Sequence, residues 1–177
     1  MRLFLSHITE EAPVAKVLKE WIESTFPGHL EVFASTNPSD NPIGTKWIQT
    51  VHSALRDSEL LILIGSPASI SRPWINFEAG AAWIRDIDII TLCHSGLATG
   101  SLPPPLSEFQ SVSISDTSVT ERLFKRFADK LGLTKLPRIP FEQFHRELTE
   151  ATEIGCLNTI TRIRELSGSS RPISCSI

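Results

Sequence analysis

Between Trp74 and Ile84 of the segment SRPWINFEAGAAWI, the one ionisable side chain is Glu78. Everything around it is aromatic, aliphatic or small. A carboxylate in such surroundings loses solvation, which raises its pKa and demands polar partners. Two readings are open: an ordinary helix acid that reaches solvent or pairs with Arg72 or Arg85, or a group kept for chemistry. The second is narrow. A glycosidase of the usual kind flanks the scissile bond with two carboxylates, and only one good candidate stands out here. One carboxylate suffices where the leaving group departs without being protonated.

Other chemistries lack their residues. No G-x-G-x-x-G follows the first apolar run, and no G-x-x-x-x-G-K-[ST] occurs anywhere. GSPAS is not a nucleophile elbow, which needs G-x-S-x-G. His7, His29, His52, His94 and His145 are scattered, so no metal site is expected. A phosphoacceptor receiver needs acids at the end of its first strand. FLSHITEE places Ser6 and His7 there, with Glu10 and Glu11 a turn later.

The chain of 177 residues is long enough for one domain with a real core and a small appendage. Its net charge of −3 gives no reason to expect nucleic-acid or membrane binding. Cys93, Cys156 and Cys175 lie far apart with no C-x-x-C pair, which suggests no disulfide framework and favours a reducing compartment. MRLFLSHITEE is too short in its apolar part for a signal peptide, and LLILIG is strand-sized, too short to span a bilayer. The expected setting is the cytoplasm.

The elements that must position Glu78 follow from periodicity. Short apolar runs at Arg2–Ser6, Leu30–Ser35, Glu59–Ser66, Ile87–Cys93 and Phe109–Ser115 read as strands, the third apolar on both faces. Between them lie helical patterns: Thr9–Thr25 with Thr9 as its cap, Thr45–Ser58, the segment from Trp74, and Ser118–Gly132. At about 100° per residue, Trp74, Phe77, Ala81 and Ile84 share one face, and Ile75, Ala79 and Trp83 a second. This alternation predicts an α/β, flavodoxin-like doubly wound fold: five parallel strands in one sheet with helices on both faces. Ligands of such sheets sit outside the carboxyl ends of the strands. Here that rim is Ser6–His7, the loop after Ser35, Gly65–Ser66 and the loop after Cys93. Residues 1–132 form this domain. Residues 133–177 read as a linker, a helical extension from Phe141 with a weak point at Gly155, and a Ser/Gly-rich tail.

Taken in order, RLFLSHITEE, ASTNPSDNPIGTKWIQTVHSALRDSELLILIGS and SRPWINFEAGAAW resemble a Toll/interleukin-1 receptor (TIR) domain of the prokaryotic kind. The linked motifs are F-L-S-H at the first strand, I-G-x-x-W-x-x-x-[VI]-x-x-A-L-x-x-S around the second helix, and W-x-x-x-E at Trp74 and Glu78. The resemblance spans roughly residues 1–132. It implies a TIR fold and, for enzymatic members, cleavage of the nicotinamide–ribose bond of NAD+ as substrate, with no cofactor. The glutamate of W-x-x-x-E, here Glu78, would be catalytic.

The resemblance further implies substrate contacts at Ser6, His7 and Trp74 and a loop, Thr36–Lys46, that packs on a neighbouring protomer. Lys46 could meet a phosphate or be an ordinary solvated lysine; Trp47 could line the site or, in register with Val51 and Leu55, sit in the core. Trp74 could equally be core, Ser6 a helix cap and His7 exposed. Two departures stand out: ASTN lacks the acidic or aromatic residue that many active members carry after the second strand, and Pro38 and Pro42 stiffen the loop.

Three functions compete. One is an NAD+-consuming antiphage or abortive-infection effector, silent until it assembles through TIR–TIR contacts. A second is a non-catalytic TIR adaptor. A third, a nucleoside deoxyribosyltransferase, shares the fold class and a catalytic glutamate but fits the motif order less well. Residues 133–177 could dock on the domain or lead to a sensor domain or protein.

Overall fold

The computed structural model describes residues 1–34 and 46–167, with side chains from Gln49 onward in the helix that opens at Lys46. Five strands, β1 (Arg2–Ser6), β2 (Glu31–Ala34), β3 (Leu60–Gly65), β4 (Asp88–Cys93) and β5 (Gln110–Ser113), form one sheet in the order β2-β1-β3-β4-β5. Every pairing is parallel, with Leu5 opposite both Ala34 and Ile62. The doubly wound architecture expected from the sequence is therefore present. All six residues of β3 are buried, which is why LLILIG is apolar throughout. The chain leaves β1 in one direction to build β2 and in the other to build β3. The switch point lies between Ser6 and Gly65–Ser66, at the carboxyl rim.

Helices cover both faces. α1 (Ala12–Thr25), α4 (Thr117–Lys130) and α5 (Phe141–Ser167) pack on one side, around Leu18, Ile22, Phe26, Phe124 and Phe127. α2 (Lys46–Arg56) and α3 (Pro73–Ile84) close the other, around Phe4, Val51, Leu61, Leu63 and Ile75. α1 starts later than its pattern suggests. A 3-10 turn, Thr9–Glu11, precedes it, and Thr9 is not its cap. α4 begins on Asp116, whose carboxylate accepts from the Ser118 amide at 3.0 Å.

The structure decides between the two apolar faces of α3. Its buried residues are Ile75, Glu78, Ala79 and Ala82, whereas Phe77, Trp83 and Ile84 are exposed. A helix apolar around its whole circumference gives no contrast from which to choose a face. Cys93 is a buried free thiol, whereas Cys156 is disulfide-bonded.

α5 docks on the domain. Phe144, Leu148 and Ala151 join the core, and the Trp21 indole N–H donates to Glu147 Oε2 at 2.6 Å. The helix runs unbroken through Gly155, so that glycine is not a weak point. It is a crossing point: a Cβ there would sit 3.0 Å from the Glu10 carbonyl oxygen and 3.9 Å from Glu11 Cα. Gly155→Val is expected to lower stability by about 1–3 kcal/mol, because backbone must give way to a branched side chain. Gly155→Ala should be nearly neutral, its smaller overlap offset by about 1 kcal/mol of helix propensity. Urea denaturation of both variants checks this, and a Gly155→Val protein as stable as wild type would remove the close crossing.

Candidate functional site

Glu78 lies one helical turn after Trp74 on α3, and the i, i+4 spacing brings the two side chains together. The Trp74 indole N–H donates to Glu78 Oε1 at 2.7 Å. The second oxygen, Oε2, accepts from Ser6 Oγ at 2.5 Å, across 72 residues of chain. Glu78 is fully buried. Neither Arg72 nor Arg85 reaches it. Arg72 lies 3.8 Å from Glu10, and Arg85 donates to the Leu55 and Arg56 carbonyls at 3.2 and 2.5 Å. Burial pushes the Glu78 carboxyl up to about 7, against the opposing pull of the hydrogen bonds from Ser6 and Trp74. The geometry thus holds a carboxylate with two donors, and no counter-ion among the described residues, beside the switch point of the sheet.

Ser6 therefore is no helix cap; it anchors Glu78 to the end of β1. His7 is buried, not exposed, and its Nδ1 lies 2.8 Å from the Ile8 carbonyl oxygen. A carbonyl can only accept, so Nδ1 carries the proton and Nε2 is the acceptor nitrogen of the neutral ring. Burial holds the His7 pKa below its usual value, partly opposed by the Ile8 carbonyl and by the charge of Glu11. Trp74 is half-buried, its ring tilted against Phe77 with centroids 5.2 Å apart. Ser6, His7, Trp74 and Glu78 are thus accounted for at one end of β1. Lys46 and Trp47 open α2, but their side chains, like the whole of residues 35–45, lie outside the described residues.

Two further acids belong to this rim. Glu10 and Glu11 look in the sequence like ordinary first-turn helix acids, yet both are buried. Glu11 ties three strand ends together. Its Oε2 accepts from the Ile8 amide at 3.2 Å; its Oε1 accepts from Ser66 Oγ at 2.6 Å and lies 3.3 Å from His94 Nε2. Those partners follow β1, β3 and β4 respectively. Glu10 meets Arg162 of α5 at 3.1 Å as well as Arg72. The only sequence signal for the pair is position, directly after Ser6–His7 at a strand's carboxyl end. Among the described residues, no group of His, Cys, Asp and Glu is disposed to hold a metal ion. Nor is any described helix long and apolar enough to cross a membrane.

The site is thus a buried carboxylate at the switch point, held by a tryptophan one turn before it and by the serine that ends β1. Comparison with curated proteins gives no match. Comparison with family models gives a match described as TIR domain over residues 3–128, a span that runs from β1 almost to the end of α4. The chain belongs to the TIR domain family.

Proposed function

We propose that the chain is an NAD+ glycohydrolase in which Glu78 is the catalytic residue. The observation that carries this reading is the Glu78 carboxylate itself, fully buried, bonded to Ser6 and Trp74 and unmatched by any cation within hydrogen-bond reach among the described residues. A buried carboxylate without a counter-ion costs stability. It is suited to a cationic transition state. When the bond between C1′ and the pyridinium nitrogen breaks, its electron pair neutralises the ring. Nicotinamide then leaves uncharged and needs no general acid, while positive charge develops on the ribose ring. Glu78 would oppose that charge and hold the ribose hydroxyls, an electrostatic contribution that water-poor surroundings enlarge. Water adding at C1′ yields ADP-ribose and a proton; attack by a nucleophile of the substrate's own ADP-ribosyl part yields a cyclic isomer. Ser6 and Trp74 act by orienting the carboxylate.

The reading predicts a definite pH dependence. The ionised carboxyl is the active form, and its pKa is about 7 in the free protein. The specificity constant kcat/KM should therefore rise with pH through a limb near 7. Bound substrate brings the positive pyridinium close and favours ionisation, so the limb in kcat should lie lower. Rates of NAD+ loss between pH 5.5 and 9 test this, at high protein concentration to allow assembly. A profile that is flat or falls with pH removes the anionic role of Glu78.

The competing reading, a non-catalytic TIR adaptor, draws on the surface. Phe77 and Ile84, on one face of α3, are 57% and 82% exposed, an apolar patch of the kind that marks protein contacts. The same patch would serve an enzyme that works only when assembled, so it does not separate the two. Absence of NAD+ loss in a demonstrably self-associated sample would decide for the adaptor. As an enzyme, the chain would act as an effector of antiphage or abortive-infection type, triggered by self-association and linked through residues 133–177 to a sensor. We place it in the cytoplasm.

A further inference from the structure

A cavity of about 280 Å3 opens at the same rim of the sheet as Glu78 but beyond β4. Its walls come from three places: the loop His94–Ala98 after β4, the end of β5 from Ser113 to Ser115, and the α5 residues Leu148, Thr149 and Thr152. None of these hydrogen-bonds to Glu78. The volume is at the small end of the range of ligand sites.

The chemistry of the walls is specific. Among the described residues, no lysine, arginine, aspartate or glutamate lines the cavity. The Cys93 thiol stays neutral, since burial pushes its pKa up to about 11. Apart from His94, whose Nδ1 pairs with Ser95 Oγ at 2.9 Å, the polar side chains are hydroxyls, most with a proton already committed. Thr149 Oγ1 donates to the His145 carbonyl and Thr152 Oγ1 to the Leu148 carbonyl, each at 2.8 Å. Ser113 Oγ and Ser115 Oγ hydrogen-bond to each other at 2.8 Å, which commits one of their two protons. A hydroxyl that has donated keeps lone pairs, so the cavity presents mainly acceptors. Leu97, Ile114 and Leu148 supply apolar wall.

Two features mark the cavity as more than a packing gap. The turn at its mouth, closed by Leu97 N–H donating to the His94 carbonyl at 3.1 Å, holds Ser95 at φ 50°. A non-glycine residue in the left-handed region costs roughly 1 kcal/mol and persists where its surroundings enforce it. His94 is 5% exposed. Its buried Nε2, although 3.3 Å from Glu11 Oε1, lacks the alignment of a hydrogen bond.

We propose that this cavity is a ligand site for an uncharged molecule rich in hydrogen-bond donors, of nucleoside size or smaller, and that its occupant further stabilises the docked α5. Acceptor-lined walls without a cation favour hydroxyl, amino and amide groups and give a phosphate no counter-charge. Because α5 forms one wall, a ligand that needs that wall stabilises the docked helix by mass action. The site is independent of the role assigned to Glu78, since binding is read without turnover.

Adenosine and nicotinamide are the uncharged probes and AMP the charged comparison, titrated into the full chain and followed by NMR. Ser115→Trp and Thr149→Trp, both at exposed positions, each plug the mouth without touching the core. At least one uncharged probe should bind with a Kd near or below about 1 mM. Each plugged variant should weaken it by about tenfold or more, and AMP should bind about tenfold more weakly than adenosine. Amide exchange in α5 should slow when the probe is bound. Binding unaffected by both plugs, AMP as tight as adenosine, no binding of either uncharged probe at about 10 mM, or α5 exchange unchanged at saturation would each overturn the proposal.

Discussion

Glu78→Gln is expected to lose NAD+ cleavage and, above neutral pH, to gain stability. Both effects have one origin. In the folded protein burial raises the carboxyl from 4.5 to about 7, while in the unfolded chain it titrates at its ordinary value. Between these values the unfolded state has released a proton that the native state still holds. Stability therefore falls as pH rises from about 4.5 to about 7 and stays low above it. At about 1.4 kcal/mol per pKa unit the ionised group costs at most about 3 kcal/mol at pH 8. Glutamine removes that cost and keeps the hydrogen bonds. Its carbonyl oxygen can accept from the Trp74 N–H, and its amide can donate to Ser6 Oγ, because a hydroxyl both donates and accepts.

The variant should melt above wild type at pH 8 and level with it or below at pH 4. Its turnover should fall at least about a hundredfold, the usual effect of removing one charge-stabilising group from an active site. Thermal melts across pH and an NAD+ assay on the same preparations read both. Turnover that persists in Glu78→Gln sinks the mechanism. A variant less stable than wild type at pH 8 means that the carboxylate is instead a structural group whose charge the fold needs. Stability given up for function is common at active sites, and the paired result would place Glu78 among such cases.

Why Glu78 stood out in the sequence, and its partners less so, is a matter of range. The carboxylate contrasts with its immediate neighbours, and Trp74 sits at the helical spacing that lets the two meet. Both are local facts. Ser6 lies 72 residues away, and no local pattern distinguishes a serine that bonds Glu78 from one that caps a helix. Glu10 and Glu11 were hidden for the opposite reason: acids in a first helical turn are so ordinary that their burial has no local signature. The sheet was legible because parallel strands buried on both faces read as unbroken apolar runs, LLILIG above all. The face of α3 was not, since Phe77 and Trp83 are as apolar as Ile75 and Ala79. For α5 the apolar positions Phe141, Phe144, Leu148, Ile160 and Ile163 are spread over six turns. Only tertiary packing separates the first three, which meet the core, from Ile163, which is 44% exposed.

Phe144→Ala is expected to destabilise the whole domain by about 3–5 kcal/mol, the cost of emptying a fully buried aromatic site. The family match ends at residue 128, which by itself makes α5 look dispensable. Packing says otherwise. The Phe144 ring lies 5.4 Å from both Trp21 and Phe124, and so bridges α1 and α4. Removing α5 altogether would expose Trp21, Phe124 and the surface around Ala15 and Leu18, so a chain ending at Leu133 should aggregate or unfold. Urea denaturation of Phe144→Ala, and solubility of the shortened chain, test the two statements separately. A shortened chain as stable as the full one would make α5 a mere appendage.

The consequence reaches the site. α5 crosses the turn Thr9–Glu11 at Gly155 and grips Glu10 through Arg162, and that turn presents Glu11 to the Ile8 amide two residues after Ser6. Loosening the helix therefore loosens the frame that sets Ser6 against Glu78. Phe144→Ala should accordingly lower turnover by more than its unfolded fraction accounts for, at temperatures where the variant is still folded. If turnover instead tracks the folded fraction alone, α5 stabilises the domain without bearing on its chemistry.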